Sequence, residues 1–141
     1  MGRAEELVIC GVPVGDYLRP PSEAAPQGSS IMIVLATDAP LDSRGLGRLA
    51  ARAAFGLART GTPGHGGSGD FVIAFSTAAP GATIHEQPLM DAFALAVVES
   101  VEEAIYNSLL MAHTVVGRQG HTRHALPADE VARLVRVHRT F

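Results

Sequence analysis

Three short stretches hold residue types from which nucleophilic chemistry can be built. The first is Ser29-Ser30 in "PQGSSIMIVLATDAPL", directly ahead of an apolar run. The second is Ser68-Gly69-Asp70, which closes the glycine-rich stretch "TGTPGHGGSGD" and precedes "FVIAF". The third is a scatter of histidines: His65 in that loop, His85, His113, and the H-x-x-H pair His121 and His124. A serine hydroxyl is a poor nucleophile until a base takes its proton. One solution makes the serine the first residue of a chain, so that its own α-amine, with a pKa of about 7.7–8.0, is that base. Such a terminus arises when the serine attacks the peptide bond ahead of it, and "PQGSS" is a small-residue turn suited to this. A turn leading into a strand is the plainer use of the same residues.

Ser68 and Asp70 admit the same pair of readings. They form either a turn into the next strand or a relay, in which Asp70 orients the Ser68 hydroxyl and that hydroxyl orients the nucleophile or its amine. A triad of Ser30, His65 and Asp70 is a further arrangement of the same groups. The loop has five glycines in eleven residues, yet it lacks a Gly-Lys-Ser/Thr ending and follows a helix, the wrong order for a phosphate-binding P-loop. His121 and His124 have no Cys or carboxylate ligand beside them and read as exposed loop histidines. The chemistry expected here needs no metal and no cofactor.

The composition narrows the classes of function. A chain of 141 residues, 47% hydrophobic and 18% charged, is enough for one domain with a core. Its net charge of −3 offers no general attraction to nucleic acid or to an anionic membrane. All the basic side chains are Arg, scattered and not clustered. One cysteine, Cys10, excludes an internal disulfide and a cysteine metal cluster. No signal peptide and no membrane-length apolar run is apparent. A soluble, cytoplasmic protein is the expectation.

The elements that must position the serines follow from periodicity. Residues 5–15 read as a short strand entering a Gly/Pro turn, and residues 16–30 as an exposed connector rich in proline and small residues. Ile31 to Ala36 is a continuous apolar run, read as a strand buried on both faces, and Phe71 to Phe75 reads as a second buried strand. Between them, Asp42 or Ser43 caps a helix with Leu46, Leu49, Ala53 and Leu57 on its apolar side. Gly45, Gly47 and Gly56 weaken this helix, so it must lean on tertiary packing. Asp38 serves as a cap or sits beside a site at the end of the first strand.

The longest helix spans residues 89–112, with Met90, Ala94, Val97, Val101, Ile105 and Leu109 inward and Glu99, Glu102 and Glu103 solvated. Residues 117–127 read as a loop, and 128–139 as a last amphipathic helix through Val131, Leu134, Val135 and His138. Strands alternating with helices give an α/β (α+β) fold class. Two strands are few for helices this long, so the piece is expected to complete a larger sheet.

Taken together, "GSSIMIVLATDAPL", "RLAARAAFGLARTG" and "GSGDFVIAFSTA", with the upstream "GVPVG" and the closing "HALP", resemble the catalytic β-subunit of the DmpA-like aminopeptidases. That family comprises the L-aminopeptidase/D-amidase/esterases and the β-peptidyl aminopeptidases. The resemblance implies a four-layer αββα sandwich of the N-terminal-nucleophile type, similar to the ornithine acetyltransferases. It also implies a precursor that cuts itself ahead of the nucleophile. The family's serine stands six residues before the Ala of its A-T-D motif, which selects Ser30 as nucleophile and Ser29/Ser30 as the cleavage site. Its second serine and carboxylate, one residue apart, match Ser68 and Asp70.

Two features depart from the family pattern. Ser29 stands where Gly or Asn is more usual, and the family's α-subunit, which supplies an Asn and a Tyr to the site, has only residues 1–29 as its counterpart. The expected organisation is therefore an α-subunit remnant and cleavage linker at 1–29 and a catalytic β-subunit-like domain at 30–141. The expected substrate is a small peptide, amide or ester. The expected partner is an α-subunit-like polypeptide or further copies of the chain, with neither nucleic acid nor membrane involved. Two rival readings are a catalytically silent piece that completes a partner's sheet, and an acyltransferase of the related sandwich.

Overall fold

Strand β1, Met32–Thr37, and strand β2, Phe71–Ser76, pair in parallel, with Met32 opposite Phe71 and Thr37 opposite Ser76. They belong to a computed structural model that describes residues 2–18, 30–79, 81 and 83–139. Residues 19–29 of the expected connector, Ser29 among them, lie outside the described residues. A parallel pair needs a crossover between its strands, and helices α1, Ser43–Ala50, and α2, Ala53–Arg59, provide it. Asp42 starts α1 by accepting the Gly45 N–H at 2.7 Å, the usual role of a short polar side chain at an N-cap. Asp38 is exposed just beyond β1 and is not the cap of α1.

The periodicity from Leu46 to Leu57 predicts one helix, and the chain breaks it in two. At the break Arg52 N–H donates to Leu49 O and Phe55 N–H to Arg52 O, three-residue bonds that tighten the turn. The break sends Leu49 into a cluster with Ala39, Leu41 and Met90, while Ala53 and Leu57 join Ile33, Val101 and Ile105. Helix α3, Gln87–Leu110, lies against α2. Gly56 makes this approach feasible: a Cβ there would sit 2.5 Å from Val98 O and 2.8 Å from Val101 Cβ. The glycine that weakens α2 locally is thus the residue that lets it pack. Glu102, expected in a solvated stripe, instead accepts the Tyr106 hydroxyl at 2.7 Å and pairs with Arg59 at 3.1 Å.

The strands are buried on one face only. Ile33 is buried under α2 and α3, with Leu35 and Val72 packed beside it. On the outer face Met32, Val34, Phe71, Ile73 and Phe75 are each between 44% and 61% exposed. Residues opposite each other in a parallel pair share a face, so these side chains form one continuous apolar surface.

The upstream segment is not the strand expected there. It forms two 3₁₀ turns, Ala4–Glu6 and Val14–Asp16, around an isolated bridge between Ile9 and Val12. Cys10 takes a left-handed φ of 51° at the tip. Its residues are apolar because Ile9, Val12 and Val14 pack on Val131 and Leu134 of helix α4, Ala128–His138. Strand β3, Val115–Val116, lies just ahead of the loop expected at 117–127 and pairs antiparallel with strand β4, Thr122–Arg123, which forms within it. The fold class is mixed α/β, with helices on one side of a parallel pair. No helix among the described residues is long and apolar enough to cross a membrane.

Candidate active site

The register of the parallel pair determines what meets what at its N-terminal edge. Ser30 lies two residues before Met32 and Gly69 two residues before Phe71, so pairing Met32 with Phe71 sets Ser30 opposite Gly69. The Gly69 N–H donates to Ser30 Oγ at 3.1 Å. One residue further on, Asp70 Oδ1 accepts the Ser68 hydroxyl at 2.6 Å and the Ile31 N–H at 3.3 Å. Phe71 N–H then donates to Ile31 O at 3.0 Å, where the ladder proper begins.

Ser30, Ser68 and Asp70, far apart in sequence, therefore share one strand edge. Asp70 ties the second serine to the backbone beside the first. The 2.6 Å O–H···O distance is in the range of charge-assisted bonds to a carboxylate, about 2.5–2.7 Å. Ser30 and Asp70 are exposed and Ser68 is half-buried, so the edge is open to an incoming chain or substrate. The arrangement can hold a hydroxyl nucleophile, a backbone donor on its oxygen, and a carboxylate that orients a second hydroxyl.

His65 does not complete a triad with these groups. Its Nε2 lies 2.8 Å and 2.9 Å from the two carboxylate oxygens of Glu6. A carboxylate only accepts, so this nitrogen carries the proton. Glu6 also accepts the Arg3 N–H at 2.9 Å. That backbone bond first, and the His65 bond next, hold the Glu6 carboxyl below its ordinary value of 4.5. His121 and His124 are exposed, and no group of three or more His, Cys, Asp or Glu among the described residues could hold a metal ion. A cavity of about 700 Å³, lined by Leu7, Leu18, Thr62, Leu109, Leu126 and Glu130 among others, includes none of Ser30, Ser68 or Asp70.

Three participants escaped the sequence reading: the Gly69 N–H, the Ile31 N–H and Glu6. The first two are backbone groups whose roles come from the strand register. Pairing the two apolar runs in parallel from their first residues would have found them. Glu6 lies 59 residues from His65, and no local pattern announces that pair.

A serine and a Ser-x-Asp pair thus lie side by side at the start of two parallel strands on an α/β frame. The chain belongs to Peptidase family S58, whose family model matches residues 1–123. It is 40% identical over 125 residues to the β-peptidyl aminopeptidase BapA of Sphingosinicella microcystinivorans, covering 82% of this chain and 32% of that protein. Among solved structures it resembles the L-aminopeptidase D-Ala-esterase/amidase of Ochrobactrum anthropi, described as a prototype of the serine aminopeptidases and a variant of the Ntn hydrolase fold. There the TM-score is 0.83 at 37% identity, over 98% of this chain and 41% of that one. The PH0078 protein of Pyrococcus horikoshii OT3 aligns with a TM-score of 0.84 at 44% identity, over 98% of this chain and 40% of that one. The chain thus spans about a third to two-fifths of the length of these relatives.

Proposed function

We propose that this chain is the nucleophile-bearing part of a self-processing serine aminopeptidase. Ser30 Oγ attacks the carbonyl carbon of residue 29, the C–N bond to Ser30 breaks, and the hydroxyl proton ends on the released Ser30 amine. Water then hydrolyses the ester, leaving residue 29 as a new C-terminus and Ser30 as a new N-terminus. In the processed protein the Ser30 amine takes the proton from its own hydroxyl. The oxygen attacks the carbonyl carbon of the N-terminal amide or ester of a small substrate, and the C–N or C–O bond breaks as the Ser30 ammonium gives its proton to the leaving amine or alcohol. Water then hydrolyses the acyl-serine to release the acid and restore the hydroxyl. Ser68 and Asp70 hold this proton network in place, and the Gly69 N–H stabilises charge on the serine oxygen. Residues 1–29 end an upstream subunit-like segment, and residues 30–141 carry the catalytic serine.

The observation that carries this reading is the strand register, which sets Ser30 Oγ on the Gly69 N–H beside the Ser68–Asp70 bond. Family membership and the names of the relatives support the reaction class and the choice of small peptides, amides and esters. The exposed apolar face of β1 and β2 supports association with a second polypeptide or further copies, since a patch of this kind marks an interaction surface. That face also favours a second reading, a silent piece that only completes a partner's sheet.

Ser30→Ala separates the two. The proposal expects Ser30→Ala to stay uncut at 29/30 and to release no p-nitroaniline from amino-acid p-nitroanilides, while the unmodified protein does both. A cut at 29/30 that survives Ser30→Ala overturns it.

A further inference from the structure

The stretch from Gly64 to Gly67 leads into Ser68 and carries a single side chain, that of His65. Glycine loses the most conformational freedom on ordering, so this segment cannot hold Ser68 in place by itself. The structure anchors it from upstream. Val8 N–H donates to Thr60 O at 3.0 Å, which secures the start of the loop. Gly61, with φ of +101°, lies so close to Glu6 O that no Cβ would fit there. Midway, Glu6 receives the His65 imidazole on both carboxylate oxygens, and Arg3 N–H braces the same carboxylate. From His65 the connection continues to the site: Ser68 N–H donates to His65 O at 2.8 Å, Ser68 Oγ to Asp70, and Gly69 N–H to Ser30 Oγ.

We infer that Glu6 and His65 are positioning residues, a hydrogen-bonded strap by which the segment upstream of the cleavage site holds the Gly-rich loop, and through it Ser68 and Gly69, against Ser30. The inference rests on the Ser30 reading for its functional consequence, but the strap itself is read without catalysis. Both side chains are partly buried, at 24% and 32% exposure, so water competes only in part for the pair. After a cut at 29/30 the strap, together with the packing of Ile9, Val12 and Val14 on α4, keeps the upstream piece on the loop it positions.

The test compares His65→Ala, His65→Gln and Glu6→Gln in the full chain by amide hydrogen exchange and by the rate of cleavage at 29/30. For His65→Ala, the strap predicts exchange across residues 64–69 faster by about fivefold, as for loss of a partly exposed pair, with α3 and α4 unchanged. Cleavage should slow by a similar factor, and His65→Gln, whose amide can still donate to Glu6, should recover most of both. Unchanged exchange at 64–69 overturns the inference, and so does faster exchange spread evenly through α3 and α4, which marks a general stability contact. If Ser30→Ala is still cut, the Ser30 reading fails, while the exchange result continues to decide whether the strap exists.

Discussion

Asp70 is the group whose removal tests the site most sharply. Its Oδ1 accepts two bonds, from the Ser68 hydroxyl at 2.6 Å and from Ile31 N–H at 3.3 Å. Asp70→Asn keeps an acceptor at that position and removes the charge. A charge-assisted bond exceeds a neutral one by about 1 kcal/mol, and exposure does not raise that figure, so cleavage at 29/30 should slow by about fivefold. Asp70→Ala removes the acceptor altogether and releases the Ser68 hydroxyl. Loss of an oriented proton-transfer partner typically costs about a hundredfold or more, and we expect a rate lower by about that factor. Ser68→Ala breaks the same bond from the other side, so the double variant should be no slower than Asp70→Ala alone. The assay is the time course of cut chain by intact mass. A thermal melt alongside should show losses of only a few degrees, because the carboxylate is exposed. Cleavage within about threefold of the unmodified protein in Asp70→Ala, or additive losses in the double variant, would refute the relay.

Three further outcomes follow from packing and titration. Gly56→Ala places a methyl 2.5 Å from Val98 O, and overpacking of about 1–3 kcal/mol should exceed the helix-propensity gain of about 1 kcal/mol, lowering Tm. An unchanged or higher Tm contradicts the close approach of α2 and α3. Tyr106 is pushed up to about 12 by burial first and by its bond to Glu102 next. Its neutral form is therefore favoured in the folded chain. The resulting stability is complete below pH 10 and is lost as pH rises from 10 towards 12. Tyr106→Phe should flatten that alkaline loss in a pH series of melts, and an unaltered slope contradicts it. Ile73→Asp, on the outer sheet face, should weaken self-association or partner capture in sedimentation experiments while leaving the circular dichroism spectrum intact. Undiminished association would place the interface elsewhere.

Much of the scaffold was legible because it depends on local chemistry. The apolar runs at Ile31 and Phe71, the Asp42 cap and the stripe of α3 each follow from short-range pattern. What escaped depends on distant partners. Continuous apolar runs imply burial on both faces, yet Met32, Val34, Phe71, Ile73 and Phe75 face outward. The run from Leu7 to Val14 looks like a strand because it is apolar, but its partner is α4, and Cys10-Gly11 at left-handed φ closes it into a turn. The site was legible as residue types and became an arrangement only through the register of β1 with β2. Glu6 and His65 illustrate the limit: charge and spacing say nothing until the upstream segment folds back over the loop.

The central claim is that Ser30 becomes a chain terminus, and intact-mass spectrometry with N-terminal sequencing of the purified protein tests it most directly. Two species are expected in place of the 14.7 kDa chain, the larger beginning Ser-Ile-Met-Ile-Val from Ser30. A single uncut chain of 14.7 kDa, or a new terminus at any residue other than Ser30, would contradict it.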